Sequence, residues 1–257
     1  MPQTINNKIQ RAFSNSAGQY DLFARLHREI GEKLLAQVTK EPQVHALLDV
    51  GCGTGYLTAL ARNYFPHSRI VGLDFAEGML KAAEQKYEDM EWVLGDAHSL
   101  PFPDGSFDIL ISNLAFQWAG DILRAFAQAR RVLVPGGVLA CTLFGFHTCD
   151  ELFRSLDESK TGSLKFKRLP DEDQVIQALV KAGFKDPTVE HERIKVRFKD
   201  MYALLAWLKS IGANNLPREG YAGREVLNQA ASIYDKRFAD DRGVYATFEV
   251  IWAYARK

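Results

Sequence analysis

The residues best placed to do chemistry follow a run of apolar side chains near position 50. In Leu47-Leu-Asp-Val-Gly-Cys-Gly-Thr-Gly55 that run meets glycines at 51, 53 and 55. Glycine lets backbone approach a ligand closely and take turns that a Cβ forbids. A helix starting behind such a turn offers unpaired N–H groups. The spacing is not the dinucleotide fingerprint G-x-G-x-x-G, because position 56 is Tyr. Asp74 stands nineteen residues after Gly55, and an acidic residue there can take both hydroxyls of a ribose. Asp96, in Gly95-Asp-Ala97, is placed for an adenine amino group, although a turn or helix-cap role fits it equally. Asn113 completes the set.

These residues need a scaffold that brings them to one edge. The first ~45 residues read as helical, with apolar positions Ile9, Phe13, Tyr20, Phe23, Leu26, Ile30 and Leu34. Strands are expected at 45–50, 69–74, 91–95, 107–112 and 138–144, with helices at 56–64, 76–87 and 120–132 between them. Pro135-Gly-Gly137 is expected to break the preceding helix before the fifth strand. Short apolar strands alternating with helices imply a parallel sheet covered on both faces and wound in both directions. All four chemical positions then fall at carboxyl ends of strands, where open α/β sheets bind ligands. Beyond Thr148 the texture changes. Helical patterns at 171–182, 201–211 and 223–234 surround an alternating stretch at 188–198, and 244–255 reads as a final strand. The late strands are expected on the same sheet, with part of 150–240 as a cover over the site.

Composition narrows the function. The 257 residues are 47% hydrophobic and 25% charged, ordinary for a globular protein. Lys plus Arg total 32 and Asp plus Glu total 32, so bulk charge gives no affinity for nucleic acid or anionic membrane. No run approaches the ~18 apolar residues of a membrane span, and MPQTINNKIQRAF has no signal-peptide core, so a cytoplasmic location is expected. Cys52, Cys141 and Cys149 suit free thiols in a reducing compartment, and no His/Cys cluster has metal-ligand spacing.

Asp49-Val-Gly-Cys-Gly-Thr-Gly55, Gly72-Leu-Asp74, Gly95-Asp-Ala97, Leu100-Pro-Phe102, Phe107-Asp108 and Arg131-Val-Leu-Val-Pro-Gly-Gly137 resemble the class I S-adenosylmethionine-dependent methyltransferases. The resemblance spans 45–144. It implies a Rossmann-like, doubly wound seven-stranded sheet whose last strand is antiparallel. It further implies S-adenosylmethionine at the Gly51–Gly55 turn, with Asp74 on the ribose, Asp96 near the adenine, and Asp49, Cys52, Phe75 and Ala97 among the cofactor-binding residues. Met79 often lines the adenine pocket in such proteins, and here a core methionine is an equal reading. Asn113 and Leu114 would border the methyl position. One methyltransferase domain over 1–257 is expected: a helical cap at 1–44, a cofactor core at 45–147, a cover and late strand at 148–243, and a final strand at 244–257.

A narrower resemblance lies outside that core. Lys8-Ile-x-x-x-Phe13 with Tyr20-Asp21, Ser112-Asn-Leu-Ala-Phe-Gln-Trp118, Thr142-Leu-Phe144 with Glu151-Leu152, Arg168-Leu-Pro170, Ile211-Gly-Ala-Asn214 and Thr247-Phe-Glu-Val-Ile251 are similar to the malonyl-[acyl carrier protein] O-methyltransferases of biotin synthesis. Leu26-His27 stands where that family suggests Leu-Gln, and Phe116 replaces a smaller apolar residue, a change that would reshape the acceptor pocket. The implied reaction methylates the free carboxylate of a malonyl thioester. That carboxylate is ionised at neutral pH and needs no general base. Tyr20 is the candidate for orienting it, with a packing aromatic as the equal alternative. Gln117 and Trp118 are expected beside the acceptor, and Trp118 fits plain core as well. His27 reads as an exposed helix residue.

An acyl carrier protein is acidic, which directs attention to cations. In Arg193-Ile-Lys-Val-Arg-Phe-Lys199 the alternation puts four cations on one strand face. Lys160, Lys165, Lys167 and Arg168 form a second basic group. Together they would make a docking rim, or else a solvated strand face that discourages edge pairing. Two other functions stay open: methylation of another small molecule such as a free acid or quinone precursor, and a non-catalytic adenosylmethionine-binding regulatory subunit. A nucleic-acid methyltransferase is disfavoured, because Asn113-Leu-Ala-Phe116 lacks the rigid prolines of a flipped-base clamp.

Overall fold

The computed structural model describes residues 2–159, 165–166, 168–213, 218–219 and 223–257. Two helices open the chain, α1 (Pro2–Phe23) and α2 (Arg25–Val38). The alternating core follows as β1 (Ala46–Val50), α3 (Tyr56–Tyr64), β2 (Arg69–Asp74), α4 (Glu77–Lys86), β3 (Glu91–Leu94), β4 (Phe107–Asn113), a 3-10 turn (Phe116–Trp118), α5 (Ile122–Val132) and β5 (Leu133–Phe144). The remainder comprises α6 (Asp150–Glu158), β6 (Lys165–Phe166), α7 (Glu172–Lys181), β7 (Lys185–Phe198), α8 (Met201–Ser210), β8 (Arg218–Glu219), α9 (Arg224–Arg237), β9 (Ala239–Asp240) and β10 (Gly243–Arg256).

The main sheet runs β3-β2-β1-β4-β5-β10-β7, with β9 paired to β10. Strands β1 to β5 pair in parallel. The final strand β10 is antiparallel to both β5 and β7. The expected seven-stranded path with an antiparallel last strand is what forms. Adjacent side chains alternate across the sheet. Leu48 and Leu110 meet Phe126 and Leu179 of α5 and α7 on one face. Leu47, Ile109 and Ile111 meet Leu34, Leu35 and Leu57 of α2 and α3 on the other. The strand order reverses between β1 and β4, and the crevice for a ligand opens at that switch point.

Two sequence expectations need correction. The helix ends at Val132, before Pro135-Gly-Gly137, but the fifth strand starts at Leu133 rather than Val138 and passes through those residues. The Lys257 N–H donates to the Gly137 carbonyl at 3.0 Å and the Gly136 N–H to the Lys257 carbonyl at 3.3 Å. The partner is the far end of the chain, which local pattern cannot reveal. The other correction is α6, which forms where the sequence suggested only a change of texture. Its Leu152, Phe153 and Leu156 pack with Leu204 of α8, Ala230 and Tyr234 of α9, Leu26 and Ile30 of α2, and Phe248 of β10. That cluster holds α6, α8 and α9 against α2 and the late strands.

A buried carboxylate pins α6 to the sheet. Glu151 of α6 accepts the Thr247 backbone N–H at 3.0 Å and also its hydroxyl, and only 7% of the residue is exposed. Glu151→Ala would leave two donors unpaired away from water. The expected loss is about 3 kcal/mol of unfolding free energy, read by urea titration. A loss under ~1 kcal/mol would show that water replaces the carboxylate at no real cost.

Candidate functional site

The glycine turn between β1 and α3 is anchored on the end of β2. The Gly51 and Cys52 N–H groups donate to the Leu73 carbonyl at 2.7 and 3.0 Å. The Gly53 N–H donates to Asp74 Oδ2 at 2.9 Å. Gly51 has φ +77°, and a Cβ there would overlap the Ala115 side chain. Gly53 has φ +56° and open space where a Cβ would stand. The chain here favours glycine for two reasons: left-handed backbone at both positions, and close approach at Gly51.

A cleft opens above this turn. Gly51, Gly53, Asp74, Phe75, Met79, Asp96, Ala97, Asn113, Leu114 and Trp118 line it, and Phe13 and Tyr20 of α1 close it from above. Tyr20, Gly51, Gly53 and Asn113 also line an adjoining chamber with Asp49, Cys52, Thr54, His27 and Arg28. The structure thus brings most of the sequence-predicted positions together. Gly55 caps α3 at φ +85° behind the turn, and Gln117 lines neither chamber.

The individual side chains differ in how free they are. Asp74 is 5% exposed, and its Oδ1 accepts the Ala76 N–H at 2.8 Å. Burial pushes its carboxyl up to about 6, against the backbone donors of Ala76, Gly53 and Phe75. Burial likewise pushes Asp49 up to about 7, opposed by the Thr58 hydroxyl at 2.6 Å and reinforced by Asp74. Asp96 is more open: its Oδ1 accepts the His98 N–H at 2.8 Å and the ring Nδ1 at 2.7 Å. Because His98 Nε2 faces the Asp121 N–H at 3.3 Å, Nδ1 carries the proton. Met79 is 1% exposed, so it is at once core and lining.

Asn113 spends its amide on the fold. Its Nδ2 donates to the His27 carbonyl and its Oδ1 accepts the Thr142 hydroxyl, both at 2.8 Å. It ties α2 to the sheet and leaves little side-chain capacity for a ligand. Leu114 follows at φ +52°, a strained conformation of the kind that clusters at functional sites. Gln117 Nε2 donates to the Leu114 carbonyl at 2.7 Å, while its Oε1 is buried without a partner among the described residues. Trp118 lies edge-on to Phe13 at 5.5 Å. Phe116 is 2% exposed and edge-on to Phe126 at 5.2 Å, so most of its bulk serves the core.

Helix α1 is latched to the turn. Asp21 accepts the Thr54 hydroxyl at 2.7 Å and pairs with Lys86 and with Arg28 at 3.2 Å. Burial works to raise the Asp21 carboxyl, and hydrogen bonds from Lys86, Thr54 and Arg28 outweigh it, so it is held low. Burial, with the charges of Asp74 and Asp21, drives the Tyr20 phenol well above its usual range. Tyr20 is therefore a donor at neutral pH and not a base. Sequence reasoning missed this latch, because Asp21, Arg28 and Thr54 meet only through the angle between α1 and α2. His27 also departs from expectation. It is half-buried, packed against Tyr20 and Phe144, and not an exposed helix residue. The three cysteines are buried and free, each pushed upward by burial.

The basic residues are partly spoken for. Arg193 faces the buried Glu249 at 3.3 Å, Arg197 meets Asp240 at 2.5 Å, and Arg168 meets Asp150 at 2.7 Å. Lys195 lies over the Tyr245 ring at 4.5 Å. Lys199 is exposed just beyond β7. Lys160, Lys167 and the Lys165 side chain lie outside the described residues. Among the described residues no His, Cys, Asp and Glu cluster could hold a metal, and no helix is long and apolar enough to cross a membrane.

The residues present fit S-adenosylmethionine. A buried carboxylate stands at the end of β2, room is left over Gly53, and buried Arg28 Nε, in the chamber beside it, has no partner among the described residues. The fold and this cleft define a class I S-adenosylmethionine-dependent methyltransferase. Residues 48–141 match the family model described as a methyltransferase domain. Solved structures share the fold: the YcgJ protein of Bacillus subtilis (TM-score 0.63, 19% identity, 88% of this chain and 98% of that one). Phosphoethanolamine N-methyltransferase 2 of Haemonchus contortus, solved with S-adenosyl-L-methionine, gives TM-score 0.61 at 20% identity over 95% of this chain and 57% of that one. Sequence relatives reach further. The malonyl-[acyl-carrier protein] O-methyltransferases of Methylovorus sp. and Hahella chejuensis are each 34% identical over 97% of this chain, covering 88% and 90% of the relatives. That of Geobacter sulfurreducens is 34% identical over 97% of this chain and 98% of its own length. The chain belongs to the malonyl-[acyl-carrier protein] O-methyltransferase family.

Proposed function

We propose that this protein methylates the free carboxylate of a malonyl group held as a thioester on an acyl carrier protein, in biotin biosynthesis. The observation that carries the reading is similarity to the family over 97% of the chain, well beyond the 48–141 methyltransferase core and through the cap and cover. When bound, S-adenosylmethionine supplies an electrophilic methyl on a sulfonium, which a carboxylate oxygen takes to become a neutral ester as a neutral thioether is left. The chain's own residues then have to bind, orient and exclude water. Asp74 would hold the ribose, Asp96 and Ala97 the adenine edge, and Phe75 and Met79 its flanks. The glycine turn, with Asp49, Cys52, Arg28 and Thr54 around it, would take the amino-acid end. Tyr20 would orient an acceptor oxygen with its protonated hydroxyl, while Leu114, Gln117 and Trp118 bound the acceptor. A dry, preorganised cleft suits a reaction in which opposite charges cancel. Positioning is the main contribution expected, and no general base is needed.

The chain is read as one catalytic unit, with 1–44 as cap, 45–147 as cofactor core, 148–243 as cover and 244–257 as final strand, working in the cytoplasm. The acidic carrier would meet Arg168, Arg193, Lys195, Arg197 and Lys199, joined by Lys165 and Lys167. Because three of those arginines already pair with carboxylates, the rim would steer the carrier more weakly than its cation count suggests. The test is methyl transfer from labelled S-adenosylmethionine to malonyl-[acyl carrier protein], with malonyl-coenzyme A and free malonate alongside. Carrier product one methyl heavier, formed much faster than methyl malonate, is expected. Cofactor binding without transfer to any of the three would overturn the acceptor and leave the fold and cofactor standing.

A further inference from the structure

We propose that His27 is a positioning residue for the acceptor: its imidazole, beside the Tyr20 ring, donates a hydrogen bond to the carboxylate that receives the methyl. The inference rests on the function proposed above. Three observations carry it. The first is the wall in which the ring sits. It lies edge-on to Tyr20 at 5.8 Å and to Phe144 at 5.8 Å, and tilted against Trp207 at 6.2 Å. Phe144 ends β5 and Trp207 belongs to α8, so aromatic rings from the sheet and from α8 pack against the imidazole. The second is an unmet valence: His27 Nδ1 is buried and has no partner among the described residues. A buried polar nitrogen left unpaired by the fold calls for an explanation, and a ligand group supplies one. The third is access, since His27 lines the chamber that Tyr20, Asn113 and Gly51 share with the main cleft.

The adjacent residue lines the same chamber with different partners. Arg28 turns toward Asp21 at 3.2 Å and stacks over the Tyr56 ring at 4.8 Å. His27 is one step around α2 and packs against Tyr20, Phe144 and Trp207 instead. A carboxylate only accepts hydrogen bonds, so the imidazole must present an N–H to it. Burial lowers His27 to about 4, which keeps the ring neutral at working pH. A neutral donor orients an oxygen without drawing off the charge that makes it a nucleophile. A cation in the same place would stabilise the ionised acceptor more than the transition state, in which that charge is disappearing.

The experiment uses the full chain saturated with S-adenosylhomocysteine, which cannot transfer a methyl. Malonyl-[acyl carrier protein] and acetyl-[acyl carrier protein] are titrated into wild type, His27→Phe and His27→Gln. Wild type is expected to prefer the malonyl form at least tenfold. His27→Phe should lose that preference to within twofold, and His27→Gln, which keeps an N–H, should recover most of it. The imidazole 15N resonances of His27 should shift with malonyl but not acetyl carrier. S-adenosylhomocysteine binding alone should stay within twofold in both variants, which also shows that they fold. Undiminished malonyl preference in His27→Phe would overturn the inference. So would a fivefold or greater loss of S-adenosylhomocysteine affinity, which would assign the ring to the cofactor's own carboxylate. If wild type itself shows no preference, the proposed acceptor fails first and this inference with it.

Discussion

Asp74→Ala is expected to weaken S-adenosylmethionine binding about 100-fold. The residue does two jobs from one buried position. One is internal: its oxygens accept the Gly53 and Ala76 N–H groups at 2.9 and 2.8 Å, which fixes the glycine turn against the end of β2. The other is the proposed seat for the ribose hydroxyls. Hydrogen bonds to a charged group contribute about 1.5–3 kcal/mol each. Losing a ribose pair therefore costs about 3 kcal/mol, or two decades of Kd. Loosening the turn adds to this rather than offsetting it. Asp74→Asn keeps one acceptor oxygen but points an NH2 at a backbone donor, so about 30-fold is expected, within the same range for charged bonds. Asp96→Ala should lose less, about fivefold, because the Asp96 side chain is 55% exposed and water competes for it. Calorimetric titration with S-adenosylhomocysteine checks all three. An Asp74→Ala protein that binds within threefold of wild type at unchanged melting temperature would move the ribose seat away from β2.

What could be read from the sequence was whatever a short stretch of chain decides by itself. The glycine turn, Asp74 and Asp96 were legible because each sits where an apolar strand stops, and a parallel sheet brings those ends together. The alternation at 188–198 was legible too: Ile194, Val196 and Phe198 pack on the cover cluster while Arg193, Lys195 and Arg197 face away from it. Features made by distant pairings were not. The early start of β5 at Leu133 is hidden because the partner of Pro135-Gly-Gly137 is Lys257, at the far end of the sequence. The helix α6 hid because its apolar face is completed by α8, α9 and β10, none of them near in sequence. His27 looked like a surface residue because helical period gives a face but not what covers it, and Trp207 arrives from 180 residues later. Asn113 shows the opposite error. Its place at the end of β4 was right, yet Thr142 and the His27 carbonyl take the amide that position offered to a ligand.

Cofactor affinity is expected to rise with pH between 5 and 8, by roughly ten- to a hundredfold. The cause is two carboxyls that burial holds at about 7 and about 6, Asp49 and Asp74. In the unfolded chain both ionise near 4. The folded, ligand-free protein therefore keeps protons that the unfolded chain has released. That contribution to stability is complete below pH 4 and is lost as pH climbs through 7, so the free protein should be easier to unfold at pH 8 than at pH 5. Ligand binding runs the other way. A sulfonium and an ammonium brought beside these groups favour their ionised forms, so binding expels protons and tightens as they become scarce. At pH 5 a group at about 6 must give up its proton at roughly tenfold cost in affinity, and a group at about 7 adds a further factor, reduced by coupling between the two. Asp49→Asn should remove the upper step and leave the one centred near 6. It should also make the free protein more resistant to urea at pH 8, because it removes a buried charge while an amide oxygen still accepts the Thr58 hydroxyl. Kd for S-adenosylhomocysteine, which lacks the sulfonium, should vary less with pH than Kd for S-adenosylmethionine. Equal and flat profiles for the two ligands would mean that neither carboxyl titrates against the cofactor, and that the end of β2 carries a fixed negative charge throughout this range.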